Sequence, residues 1–268
     1  ELFYGYDRYF LTAKLWRNLA LLPLPLRALI AKGIVSISPQ TWNNLATTAK
    51  AWLPGSSQPS NVGDKLHKRA SLLASPSINA LYLGLVSHWH EPAALVINGY
   101  EPPTLLTTNA AHLAHLNDTQ LMMALDSMTY LPDDILVKVD RAAMGVSLET
   151  RVPFLDHRVV EFAWQLPQSM KLHNGESKWA LRQVLYRHVP KALIERPKMG
   201  FGVPIDVWLR GPLRAWAEAL LDETRLRDEG FFQPAPIRRK WEEHLTGQRN
   251  WQYYLWDVLM FQAWLEQQ

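Results

Sequence analysis

The 268-residue chain is 48% hydrophobic and 20% charged, long enough for one large domain or two small ones. Its 28 basic and 25 acidic residues leave a formal charge of +3, mildly basic and far from a polycation. The absence of cysteine excludes disulfides, thiolate metal sites and a cysteine nucleophile, and the longest apolar stretch, 19–31, is interrupted by Pro23, Pro25 and Arg27, short of the roughly 20 residues a membrane helix needs.

Helical signals dominate. Ser38-Pro39 offers an N-cap hydroxyl and a proline for the first helical position, ahead of Trp42, Leu45 and Ala49 at helical spacing. Helices are predicted over 64–73, 78–89 and 118–128, the last with Leu121, Leu125 and Met128 on one face. Asp133 is expected to cap a helix carrying Ile135, Val139, Ala142 and Val146. Further helices are expected at 157–165, 176–188, 213–221, 236–245 and 251–265. Residues 95–97 alone read as a short strand, confined by Pro92 and Gly99. The fold class is therefore mainly α, a single domain with long surface loops at 53–63 and 91–109. Trp241, Trp251, Trp256 and Trp264 read as core packing.

No two glycines are adjacent, and the single G-x-G, Gly200 to Gly202, lacks the following Lys-Ser/Thr of a phosphate-cradling loop. Any nucleotide chemistry must borrow that loop from outside the chain. His112 and His115 are three apart but have no third ligand in a motif with them, and His88 and His90 flank Trp89, so no metal site is expected within the chain. Residues 136–171 set Lys138, Asp140, Arg141, Glu149, Arg151 and Asp156 into an otherwise apolar region. Charges embedded there need partners. Asp140, Glu149, Arg151 and Asp156 read as a buried ion-pair network, and Arg141 and Lys138 are better placed to reach an anion. Asn174 is a candidate N-cap that puts Lys178 in the first turns of a helix and Arg182 four residues on. Two cations near the positive end of a helix suit a polyphosphate; a solvated basic face paired with Glu176 fits the same spacing. Arg196 and Lys198 add two cations on a loop whose Gly200 and Gly202 flank Phe201, either a closing loop or a plain surface turn.

Asp140-Arg141, Met144, Ser147-Leu148-Glu149, Arg151 and Pro153-Phe154-Leu155-Asp156 together resemble the D-R-x-x-M-x-x-S-L-E-x-R-x-P-F-L-D signature of glutamine-dependent asparagine synthetases. Lys178-Trp179-Ala180-Leu181-Arg182 matches that family's K-x-x-L-R, residues 196–201 match its R-x-K-x-G-F loop, and Glu1-Leu2-Phe3 with Gly5-Tyr6 looks like the end of G-G-D-E-L-F and its continuation. The family reads F-G-G-Y where this chain has Phe3-Tyr4-Gly5-Tyr6, so Tyr4 replaces a glycine and is placed to crowd the substrate pocket.

The resemblance implies the helical C-terminal part of an α/β ATP-pyrophosphatase synthetase domain, residues 1–268, whose parallel sheet, S-G-G-x-D-S loop and glutaminase domain lie upstream. It implies MgATP, bound mainly by those upstream residues, with aspartate and glutamine-derived ammonia as substrates. Aspartate is adenylated to β-aspartyl-AMP and then amidated. Lys178 and Glu1 are the implied catalytic residues: Lys178 stabilises charge on the α-phosphate and pyrophosphate, and Glu1 orients substrate or assists proton transfer. Arg182, Arg141, Lys198 and Tyr6 are the expected substrate- or phosphate-binding residues, with Arg182 equally able to pair with an acid. The expected partners are the upstream half and, as an option, a second copy in a homodimer, with neither nucleic acid nor membrane. The chain begins at Glu1 without an apolar leader, which reads as a soluble, cytoplasmic piece of a longer protein. Two other readings stay open. One is a related ligase on the same scaffold, β-lactam synthetase-like or a polysaccharide-cluster amidotransferase. The other is a basic helical module that binds nucleic acid or a protein, against which acids are interspersed throughout.

Overall fold

Short-range capping signals open several of the helices. The Ser38 hydroxyl accepts the Thr41 N–H at 3.2 Å and starts the helix Pro39–Ala51. Asn117 and Gln120 form a reciprocal capping box, at 3.0 and 3.1 Å, ahead of Asp118–Met128. Asp156 accepts from the Arg158 N–H and opens His157–Gln165. The computed structural model describes residues 1–51, 62–108, 111–195 and 202–268. Among them no single helix is long and apolar enough to cross a membrane. Most of the loop expected at 53–63 lies outside the described residues, as does the loop 196–201.

The chain divides into two compact units. The first comprises Glu1–Leu22, Ser77–Tyr82 and Pro103–Met199. It holds the helices Asp7–Leu19, Asp118–Met128, Val137–Met144, His157–Gln165 and Trp179–Leu185. Leu81, Met122, Met123 and Leu125 are buried, and a separate cluster seats Leu2 and Phe3 against Ala163, Trp164 and Leu181. Each of those two anchors contributes on the order of 2 kcal/mol over exposure, and together they fix the first residues of the chain on the helix His157–Gln165.

The second unit comprises Pro23–Pro76, Leu83–Pro102 and Gly200–Gln268. Helices Leu24–Ser36, Pro39–Ala51 and Val62–Leu73 pack together. The larger core collects Leu209, Leu220, Leu221, Leu226, Ile237, Leu255 and Leu259 around a wholly buried Trp241. Trp251 and Trp256 pack on its margin, whereas Trp264 is 54% exposed and corrects the expectation of four core tryptophans.

The structure departs from the sequence reading in four further places. Helices Asp7–Leu19 and Leu24–Ser36 carried no predicted element; Pro25 stands at the start of the second, where a missing N–H costs nothing, and so marks a beginning instead of a break. Asp133 is not a cap: its N–H bonds to the Thr129 carbonyl at 2.9 Å, inside a π-helical turn, Leu131–Leu136, that already starts two residues upstream with Pro132 as its second residue. The expected strand at 95–97 reduces to one antiparallel bridge, Val96 to Phe232, between a 3-10 turn and Gly99. The helix expected from 176 starts at Trp179, because Leu172–His173 and Glu176–Ser177 pair as an antiparallel ribbon.

Candidate active site

The ribbon is made by its corner. Asn174 and Gly175 both take left-handed backbone angles, φ +50° and +82°, as a two-residue type I′ turn demands. Asn-Gly is among the strongest hairpin signals a sequence carries; here it places Asn174 in the corner and not at a helix cap. Lys178 follows directly, at the N-cap of the helix Trp179–Leu185, and is itself left-handed with φ +58° and ψ +30°. A residue with a Cβ held there costs roughly 1–2 kcal/mol. Its N–H donates to the Phe3 carbonyl at 3.2 Å, so the turn is tied to the opening segment of the chain. The side chain runs alongside Gly5, whose Cα leaves room for it.

Glu1 and Tyr6 lie on that same opening segment. The Tyr6 hydroxyl donates to Glu1 Oε1 at 2.8 Å. Burial first, and then the carboxylate, push the Tyr6 phenol well above its usual range, so it stays a neutral donor. Lys178, Glu1 and Tyr6, expected from motifs some 170 residues apart, are thus brought together. Tyr4, expected to crowd the pocket, is instead buried against Tyr9, ring centroids 5.7 Å apart, with its hydroxyl near Thr119. Its φ is +58°, the region that favours glycine, which gives a backbone reason for the glycine in the F-G-G-Y pattern.

Arg182 is already engaged. Its Nη1 pairs with Glu195 and lies 3.8 Å from Glu176, and its Nε donates to the Ser177 carbonyl at 2.9 Å. The Tyr186 hydroxyl, first, and Arg182 hold the Glu195 carboxyl below the usual range. Of the two roles open to Arg182, pairing with an acid is the one the geometry displays.

The signature charges lie at the surface. Glu149 pairs with Arg151 at 2.6 Å with side chains 69% and 85% exposed, Asp156 pairs with its neighbour Arg158 at 2.6 Å, and Asp140 and Arg141 are exposed on Val137–Met144. This corrects the expectation of a buried network: the pairs are local, two residues apart, and in water such pairs are worth at most about 1 kcal/mol. Lys198 lies outside the described residues. Among the described residues no three His, Asp or Glu side chains gather as metal ligands.

Sequence reasoning missed Arg8, Asp126 and Tyr130. Buried Asp126 accepts from the Tyr9 and Tyr82 hydroxyls, each at 2.5 Å, and from Arg8. The Arg8 guanidinium lies over the rings of Tyr6 and Tyr130, 4.4 and 4.7 Å from their centroids. Three tyrosines around one arginine in Tyr4–Tyr9 was the available signal; Asp126, 118 residues away in sequence from Arg8, had none. An ammonium next to the segment that carries a carboxylate and its neutral phenol donor can neutralise an anionic centre and hold or take up a proton.

The sequence profile of the asparagine synthase family matches residues 1–266. A Mycobacterium tuberculosis protein provisionally named as a glutamine-hydrolysing asparagine synthetase is 40% identical over 144 residues, 53% of this chain and 22% of its own length. The Bacillus subtilis glutamine-hydrolysing asparagine synthetase 1 is 32% identical over 148 residues, 55% of this chain and 23% of its own. The human glutamine-hydrolysing asparagine synthetase is 28% identical over 141 residues, 45% of this chain and 24% of its own. The chain thus spans about a quarter of the length of these relatives. No solved structure matches it.

Proposed function

The chain belongs to the asparagine synthase family, and on that premise we propose that it is the helical C-terminal part of the synthetase domain of a glutamine-hydrolysing asparagine synthetase. The β-carboxylate oxygen of aspartate attacks the α-phosphorus of ATP, the bond to the bridging oxygen breaks, and pyrophosphate leaves. Ammonia then attacks the acyl carbon of β-aspartyl-AMP, and AMP departs with the C–O bond electrons as the proton is lost from nitrogen. Adenylation is needed because a bare carboxylate offers only oxide as a leaving group.

Lys178 supplies positive charge where it accumulates on the α-phosphate and pyrophosphate. Glu1, held by Tyr6, orients the substrate or takes the proton released on amide formation. The nucleotide, and Mg2+ with it, would be held mainly by residues upstream of this chain, because the sequence carries no phosphate-cradling loop of its own. The observation that carries the reading is the tie between Lys178 N–H and Phe3 O, which brings the lysine onto the segment bearing Glu1 and Tyr6.

The test is Lys178→Ala in the protein carrying its upstream half. Pyrophosphate release from ATP and aspartate should fall by on the order of 10² to 10³, with glutamine hydrolysis nearly intact, and Lys178→Arg should restore only part of it. A variant keeping half of the parent rate would overturn the assignment.

A further inference from the structure

We infer that Arg8 is a positioning residue whose guanidinium, fixed by Asp126 and packed against the rings of Tyr6 and Tyr130, holds the Tyr6 hydroxyl against Glu1. The inference deepens the proposed function, because it takes Glu1 as the group that serves amide formation.

Four rings surround this one cation: Tyr6 and Tyr130 at 4.4 and 4.7 Å, Tyr9 and Tyr82 both at 5.9 Å. The rings also support one another, Tyr6 standing edge-on to Tyr9 at 5.6 Å and to Tyr130 at 5.9 Å. Asp126 anchors the far end and is itself locked by two tyrosine hydroxyls. The Arg8 Nε has no hydrogen-bond partner among the described residues. The guanidinium is therefore oriented by one carboxylate and by aromatic faces, not by a full set of hydrogen bonds. A counter-ion for Asp126 could be any cation, but a guanidinium also lays a broad plane against the Tyr6 ring, which the compact ammonium of lysine cannot match in area or in rigidity. Tyr6 sits between Arg8 and Glu1, so any loosening of Arg8 reaches the carboxylate through the phenol.

The test begins with Arg8→Lys in the protein carrying its upstream half, which keeps the charge beside Asp126 and removes the plane. Amide formation should fall on the order of 10- to 100-fold, the scale of a small misplacement of a reacting group, while ATP–pyrophosphate exchange, assigned to Lys178, changes less than about threefold. In a Glu1→Gln background the same substitution should have almost no further effect on amide formation. Tyr130→Leu removes the second ring packed on the guanidinium, leaves the ion pair intact and should reproduce the pattern. Equal losses in both half-reactions, or additive losses with Glu1→Gln, overturn the inference. A separate readout needs no turnover. The Tyr6 phenol, identified by Tyr6→Phe in ring-labelled protein, should titrate above its usual range in the parent and fall toward about 10 in Arg8→Lys as the ring is released. A phenol that stays where it was would overturn the positioning role even if the parent enzyme proved to act on another substrate, whereas an inactive parent with a released Tyr6 would discredit the reaction and leave the positioning of Tyr6 by Arg8 standing.

Discussion

A methyl group on Gly5 would meet Cε of Lys178 at 2.9 Å and its Nζ at 3.6 Å. The close approach involves the far end of a flexible side chain, so the fold can absorb an added carbon while the ammonium cannot keep its place. Gly5→Ala should therefore leave the unfolding midpoint within about 0.5 kcal/mol of the parent and lower ATP-dependent pyrophosphate release at least tenfold. Paired denaturation and pyrophosphate assays check it. A stable variant with full activity would mean that the lysine does not work from the position it occupies beside Gly5.

Backbone strain at Lys178 can be separated from its charge. Both Lys178→Ala and Lys178→Gly remove the ammonium, but only glycine takes φ +58° without a steric penalty. The glycine variant should be the more stable of the two by about 1 kcal/mol in urea unfolding, although both are inactive. Equal stabilities would indicate that the left-handed turn relaxes once the lysine is gone.

Local chemistry was legible in the sequence, and long-range pairing was not. Ser38 caps its helix as its spacing suggests, because a short polar side chain reaches N–H groups two or three residues on; Asn117 and Asp156 cap theirs in the same local way, although neither was read as a cap. The Asn174-Gly175 corner was equally local, yet its arms are two residues each, too short to show alternation against the helical run that follows. The charges of 138–156 stand among apolar neighbours in sequence, which suggested burial; in the fold Val139, Met144, Leu148 and Phe154 are themselves exposed, and the ion pairs lie at the surface with them. Arg8 meets Asp126 and Tyr130 from a segment 118 residues away from Asp126; those two lie four residues apart on one stretch, but nothing along the chain announced their pairing with Arg8. Motif resemblance found Lys178, Glu1 and Tyr6; their meeting depends on a hydrogen bond to Phe3 that only the fold reveals.

Tyr4 offers a test of what occupies the glycine position of the motif. Replacing it by glycine relieves roughly 1–2 kcal/mol of backbone strain but removes a ring that is 3% exposed and packed edge-on against Tyr9, a loss of about 3–5 kcal/mol. Tyr4→Gly should come out destabilised by about 2 kcal/mol, read from urea unfolding. A stabilised variant would show that the strain outweighs the packing.

In the second unit, His244 makes stability depend on pH. The residue is wholly buried on Pro234–Leu245 and stacks on Trp241. Its Nδ1 accepts the Trp251 N–H at 3.2 Å, and its Nε2 has no hydrogen-bond partner among the described residues. Burial first, and then the nearby Arg210 guanidinium, lower its pKa to about 4, with Asp206 acting the other way. The folded state therefore holds histidine neutral where an unfolded chain, with a pKa near 6.5, would take up a proton. The contribution is complete above about pH 6.5 and is lost as the pH falls from there toward 4, with a slope that approaches about 1.4 kcal/mol per pH unit. Unfolding free energies between pH 7.5 and pH 4 should show this decline, and His244→Phe, which cannot titrate, should flatten it. A decline of the same steepness in the phenylalanine variant would assign the acid sensitivity to other groups.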